Sequence, residues 1–151
     1  MDVAKLKAEF LQHYYQSNGI PLRTRIIANI SRVNSLGSLV PSLFNFFNSN
    51  GFTSGLTAAI LGFAPQRKFP LLSKTPLDKW LIKNKAELSK ADYPNGKVYL
   101  FNDEFTRFND TDIGIKAIRL LSRLGYQVVI PDHLESARTY LSKGLVKKAK
   151  K

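Results

Sequence analysis

The chain is 151 residues long with 44% hydrophobic residues, enough length for a real core and too apolar for a disordered polymer. Its 23 Lys+Arg against 11 Asp+Glu, net +12, point either to an anionic partner or to one piece's share of a larger protein's charge, and the second reading is favoured because no basic-aromatic motif accompanies the charge. With no cysteine, these residues cannot form disulfides, thiolate metal sites or cysteine nucleophiles. No apolar run reaches the roughly 20 residues of a bilayer span, and charged residues interrupt the first fifteen positions where a signal peptide would lie.

In chain order, Asp2 to Gln16 reads as an amphipathic helix. Val3, Leu6, Phe10 and Tyr14 share one face, and Lys5, Glu9 and Gln12 lie away from it. Asn18-Gly19 closes it as a C-cap, and Pro21 follows. A second helix is expected from Leu22 to Val33, with Leu22, Ile26, Ile27 and Ile30 inward. Leu36, Leu39, Val40, Leu43, Phe44 and Phe47 then recur at helical spacing across Gly37 and Pro41. That predicts a short helix and a restart with Pro41 in its first turn, ended by Asn48-Ser-Asn-Gly51. Phe44, Phe46, Phe47 and Phe52 are expected in the core. Thr53 to Leu61 reads as a short apolar helix closed by Gly62.

Ala64 to Lys74, with Pro65 and Pro70, reads as an extended linker. Thr75-Pro76-Leu77-Asp78 is a capping signature for a helix through Trp80, Leu81 and Leu88. Asp92-Tyr-Pro-Asn-Gly96 is a turn-rich break and the best domain boundary. Beyond it, Lys97 to Phe101 reads as a strand, Asp112 to Leu124 as a helix, Gln127 to Ile130 as a strand and Leu134 to Lys150 as a helix. Strand, helix, strand is a unit whose two strands lie parallel. Parallel sheets need more strands and cover on both faces. The expected fold class is therefore α+β: a mainly helical N-terminal part, 1–92, followed by a partial α/β (βαβα) unit, 93–151, belonging to a larger protein.

Local chemistry is sparse. Asp103, Glu104, Asp110 and Asp112 follow the first strand at its carboxyl end, where open α/β sheets bind ligands. A cation site there competes with plainer roles, which are favoured: Asn109 or Asp110 as a helix cap, and Asp112 against the helix dipole. His13 and His133 are the only histidines and have no partner at ligand spacing. Ser136, in Asp132-His133-Leu-Glu135-Ser136, lacks the Gly-x-Ser-x-Gly elbow of a nucleophile, and Asp132 reads as an N-cap. No phosphate loop, Rossmann glycine pattern or zinc spacing is present. The residues themselves predict no catalytic, cofactor-binding or metal site in this chain.

Three stretches carry a resemblance. Asp2-Val-Ala-Lys-Leu-Lys-Ala-Glu-Phe10 resembles the helix after the second cysteine cluster of bacterial fusion proteins that join an FAD-linked oxidase module to iron–sulfur modules, in the manner of D-lactate and glycolate dehydrogenases. Lys97 to Lys151, with Lys-Val-Tyr-Leu-Phe-Asn-Asp-Glu-Phe-Thr through Tyr-Leu-Ser-Lys-Gly-Leu, is similar to the first half of the cysteine-rich (CCG) domain of the same proteins. Arg23 to Phe47, with Ile-Ala-Asn-Ile-Ser and Leu-Gly-Ser-Leu-Val-Pro, resembles the helical connector between them.

The resemblance implies a parent oxidoreductase with FAD and 4Fe-4S clusters. FAD and ferredoxin-like modules would lie upstream, the second CCG half downstream, and Met1 would be an added start. It implies a cytoplasmic protein, or one held at the membrane through its parent. Where the CCG pattern has cysteines, this chain has Asn102-Asp103 and His133-Leu-Glu-Ser136, so no cluster ligand carries over. The expected role is a non-catalytic piece that positions electron-transfer modules and that, alone, dimerises to cover its sheet edges. The alternative is a basic helical module for nucleic acid or an anionic membrane surface.

Overall fold

A computed structural model describes residues 2–64, 66–89 and 92–150. The chain is mainly helical, with a two-stranded parallel sheet near its C-terminal end. Five helices come first: α1 (Val3–Asn18), α2 (Leu22–Ala28), α3 (Ile30–Gly37), α4 (Pro41–Ser49) and α5 (Gly51–Leu61). An irregular segment leads to α6 (Leu77–Ser89). Then follow β1 (Lys97–Tyr99), α7 (Glu104–Phe108), α8 (Thr111–Arg123), β2 (Gln127–Val129), α9 (Arg138–Ser142) and α10 (Val146–Ala149).

Local signals set most of these boundaries. The Asp2 carboxylate accepts the N–H groups of Ala4 and Lys5 at 3.1 and 3.2 Å, which caps α1. Gly19, at φ 77°, ends it. Pro41 occupies the first turn of α4 as expected, and Gly62 closes α5 in the left-handed region. The expected helix over 22–33 is instead two helices. The Asn29 side-chain amide donates to Arg25 O at 2.7 Å, competing with the helical ladder at the break.

The irregular 63–76 segment is tied down rather than free. Asn45 bonds the backbone of Leu72 in both directions, at 2.7 and 2.8 Å, and Ser73 N–H donates to Phe108 O at 2.8 Å. Pro65 lies outside the described residues. Leu77, at the start of α6, is fully buried with Ile118 of α8. Gly114 makes this close approach possible, because a Cβ there would lie 2.7 Å from a Leu77 methyl.

The strands pair Lys97, Val98 and Tyr99 with Gln127, Val128 and Val129. They are shorter than expected but in the expected parallel order. Past β2 the expected helix over 134–150 is absent. Residues 130–137 form no helix or strand, and Ala137 takes φ 56° before α9. Gly144, at φ 71°, separates α9 from α10. The reason is α1, whose Leu11 Cβ and Ala8 carbonyl leave no room for a side chain at position 144. Thr139 Oγ1 donates to Ala28 O at 3.0 Å and Tyr140 OH to Asn29 Oδ1 at 2.8 Å, so the chain's end is fastened to its beginning.

The apolar faces are the main correction. Val3 and Phe10 are 72% and 66% exposed, with Leu6 and Tyr14 also exposed; α1 packs through Ala8 and Leu11 instead. Gln12, expected to point away, accepts the Lys147 N–H at 3.1 Å. Leu22 is exposed, and α2 and α3 bury Thr24, Ala28, Ser31 and Asn34. Leu36, Leu39, Val40, Leu43, Phe46 and Phe47 are exposed, and Phe52 is 81% exposed, so three of the four phenylalanines expected in the core are at the surface. Phe44 is the exception, lying beside Gly37. Periodicity selects residues that share a face but does not say whether that face is covered.

Candidate functional site

The acidic, histidine and serine residues singled out in the sequence converge at the carboxyl ends of β1 and β2. Asn102 lies three residues past the end of β1 and is only 6% exposed. Its side-chain amide donates to Asp78 Oδ1 at 3.0 Å, and its backbone N–H donates to His133 Nε2 at 3.3 Å. His133 Nδ1 lies 2.8 Å from Leu134 O. A carbonyl only accepts, so Nδ1 carries the proton and Nε2 is the acceptor. The imidazole also stacks on Phe101, with centroids 4.2 Å apart. Asp78 is held on its other oxygen by Arg107 Nε at 2.5 Å. Asp78, Asn102, Arg107, Asp132 and His133 line a cleft of about 360 Å³ with Leu81 and Ile130.

A second set sits beside it on α7, a helix the sequence reading missed. Asp103 caps α7, accepting the N–H groups of Phe105 and Thr106 at 2.8 and 3.0 Å. Burial pushes the Asp103 carboxyl up, but the two backbone donors and the Arg138 guanidinium outweigh it and hold it below its usual value. Glu104 is 4% exposed. It accepts Ser136 Oγ at 3.1 and 3.0 Å and Arg138 Nε at 2.9 Å. Arg138 therefore bridges both acids of α7, reaching Asp103 at 3.2 Å.

The remaining residues do not join these sets. Asp110 stands at the N-terminus of α8 but makes no side-chain cap. Asp112 pairs with Lys116 on the exposed face of α8, and Asn109 bonds Asn34 and Leu71 O. Asp132 caps no helix, because the next helix begins only at Arg138. His13 is exposed on α1. Ser136 donates to Glu104, not to His133, so no nucleophile–base pair forms. Among the described residues no three His, Cys, Asp or Glu side chains are grouped to hold a metal.

The arrangement is a clamp. Bonds within the chain engage both nitrogens of His133, both oxygens of Asp78 and both oxygens of Glu104. They tie the loops after both strands to α6 and α7. The one polar atom left over is Asn102 Oδ1, buried without a partner among the described residues. A visible signal for the missed helix was present: Asp103 stands three residues before Thr106, the spacing of a side-chain cap.

No family model matches the chain, and no solved structure does. Its sequence is similar to part of bacterial 2-hydroxy acid dehydrogenases. These are D-2-hydroxyglutarate dehydrogenases. That of Escherichia coli is 26% identical over 138 residues, covering 86% of this chain and 13% of the relative. That of Pantoea ananatis is 26% identical over 156 residues, covering 98% and 15%. That of Haemophilus influenzae is 22% identical over 159 residues, covering 100% and 15%. The chain thus spans about a seventh of the length of the curated relatives it matches, and they fall in the oxidoreductase class that the residues resemble. Among the described residues no helix is long and apolar enough to cross a membrane.

Proposed function

We propose that this chain is a connector and half an α/β unit within a 2-hydroxy acid oxidoreductase, where it positions electron-transfer modules and performs no chemistry itself. The observation that carries the reading is the run of large apolar side chains exposed on α1 and on α3 to α5, from Val3 to Ile60. Exposed apolar area on this scale marks a surface made to be covered. The two-stranded parallel sheet supports the same reading, since such sheets are stable only with further strands and cover. The similarity to D-2-hydroxyglutarate dehydrogenases over a short share of their length supports the choice of parent.

In that parent, substrate hydride passes to FAD in an upstream module, and electrons pass through iron–sulfur clusters to an acceptor. The α1 to α5 surface seats the cluster-bearing module, and the outer edges of β1 and β2 meet the second CCG half. The parent works in the cytoplasm or at a membrane surface. This chain supplies no ligand to flavin or cluster. The clamp at the sheet's carboxyl end fits that role, since it fixes geometry and engages Asp78, Asp103, Glu104 and His133 in bonds within the chain.

The test uses the full-length parent. Phe10→Asp and Phe47→Asp should leave flavin reduction by D-2-hydroxyglutarate near normal in stopped flow and lower steady-state electron delivery to the acceptor. Asp103→Asn and His133→Gln should leave both half-reactions nearly intact. Loss of turnover in either of the latter two, with the protein folded, would make the clamp an active site and overturn the connector reading.

A further inference from the structure

The clearest unassigned feature is a cavity of about 580 Å³ between α2, α9 and the segment after α5. Its size is that of a small-molecule pocket. Five cations line it: Arg23, Arg67, Lys68, Arg138 and Lys143. No Asp or Glu lines it among the described residues, nor the smaller adjoining hollow of about 290 Å³, which shares Arg23 and Lys143 and adds Lys7. Arg138 is neutralised by Asp103 and Glu104, but Arg23, Arg67, Lys68 and Lys143 have no acidic partner among the described residues. In a chain with 11 acids, that separation of charge is local and specific.

The walls are aromatic. The Arg23 guanidinium lies 4.5 Å over the Phe63 ring and donates to Gly62 O at 2.7 Å, so it is fixed before any ligand arrives. Phe63 meets Phe69 edge-on at 5.3 Å, and Arg138, also in the lining, lies 4.9 Å over Phe105. Arginine held on an aromatic face keeps its donor edge free for an anion.

We propose that this cavity binds a small organic polyanion with an apolar or aromatic body, such as an aryl or acyl phosphate, its charge met by Arg23, Arg67 and Lys143 and its body seated on Phe63 and Phe69. An inorganic anion would leave the aromatic walls wet, and a neutral apolar ligand would leave the cations uncompensated. Burial, and then the nearby charges of Arg23, Lys7 and Arg67, hold the Lys143 amine below its usual value, as expected where cations converge without a counter-charge.

The test titrates the 151-residue chain with 1-naphthyl phosphate, pyrophosphate and 1-naphthol, following ligand fluorescence and heat. The expected result is one saturable site for 1-naphthyl phosphate, at least about tenfold tighter than either control. Arg67→Gln and Lys143→Gln should each weaken it by about tenfold, as for loss of one charge-assisted hydrogen bond. Lys83→Gln, an equal charge change on α6 away from the cavity, should not. Shifts of the Phe63 and Phe69 ring resonances in the unsubstituted chain locate the site even if a variant unfolds. Equal binding of pyrophosphate, equal weakening by Lys83→Gln, or unshifted Phe63 and Phe69 rings would overturn the proposal. Tighter binding of a short DNA duplex, weakened alike by Lys83→Gln and Lys143→Gln, would replace it with a diffuse basic surface.

Discussion

Replacing Gly144 by alanine probes how the chain's end docks on its beginning. At φ 71°, residue 144 sits in the left-handed region, where an L side chain costs about 1–2 kcal/mol. The added methyl would also meet Leu11 Cβ and the Ala8 carbonyl oxygen on α1, one of them backbone. Overpacking of that kind costs about 1–3 kcal/mol, for a total of about 2–5 kcal/mol. Gly96→Ala provides the control, since it has φ 82° but nothing within 4 Å, so only the conformational cost of about 1–2 kcal/mol applies. The assay is urea denaturation of both variants beside the parent chain, with the melting temperature as a second readout. At this chain length Gly144→Ala should lower the melting temperature by roughly 4–20 °C and Gly96→Ala by less. A continuous helix over 134–150 makes the opposite prediction, because alanine in a helix interior is favoured over glycine by roughly 0.5–1 kcal/mol. Stabilisation by Gly144→Ala, or equal losses in the two variants, would refute the docking of α10 on α1.

Three further outcomes follow from the same contacts. Glu104→Ala should destabilise by about 1–3 kcal/mol in chemical denaturation, through the unpaired Ser136 hydroxyl and the lost cover, with little from the half-exposed Arg138. Asp103 has a folded pKa below its unfolded one, so its contribution is fully present above about pH 4 and is lost as pH falls through the folded value. The stability gap between the parent chain and Asp103→Asn, measured by denaturation from pH 6 to pH 2, should therefore narrow below about pH 4. Sedimentation should show self-association that rises with concentration and weakens in Val128→Lys, because the unpaired outer edges of β1 and β2 are templates for another chain. A monodisperse monomer at high concentration, with slow amide exchange in both strands, would contradict it.

Some helix starts and stops were legible because short-range chemistry sets them. Asp2, Pro41, Gly19 and Gly62 each act within a few residues of the boundary they make. The parallel pair was legible from two apolar runs separated by a helix. What could not be read locally was decided at long range. Gly144 looks tolerable inside a helix until Leu11 and Ala8 lie against it. Asn29 breaks a helix through its own side chain, and Tyr140 from the far end of the chain then secures that same side chain. The clamp was half visible: Asp103, Glu104, His133 and Ser136 stood out by type, but Asp78 and Arg107 gave no sign of closing it. The cation-lined cavity had no signal beyond net charge, since its residues come from four separated segments.

Arg138 connects the clamp to that cavity. Its guanidinium is shared by Glu104 and Asp103 on α7, and the same side chain lies over Phe105 and forms part of the cavity wall. Ser136, two residues earlier, is anchored to the same buried carboxylate, so the approach to α9 is fixed at two points. The helix that follows carries Thr139 to α2, and Lys143 lies just past its end. The carboxyl end of a parallel sheet is ordinarily where a ligand sits. Here Asp103 and Glu104 are engaged in holding Arg138 at the start of α9, and the unneutralised cations line the cavity between that helix and α2. A buried carboxylate at the sheet thus sets the position of a cationic wall without touching what the wall would bind. Positions 104 and 136 would accordingly act on the cavity through geometry, whereas 67 and 143 would act on it through charge.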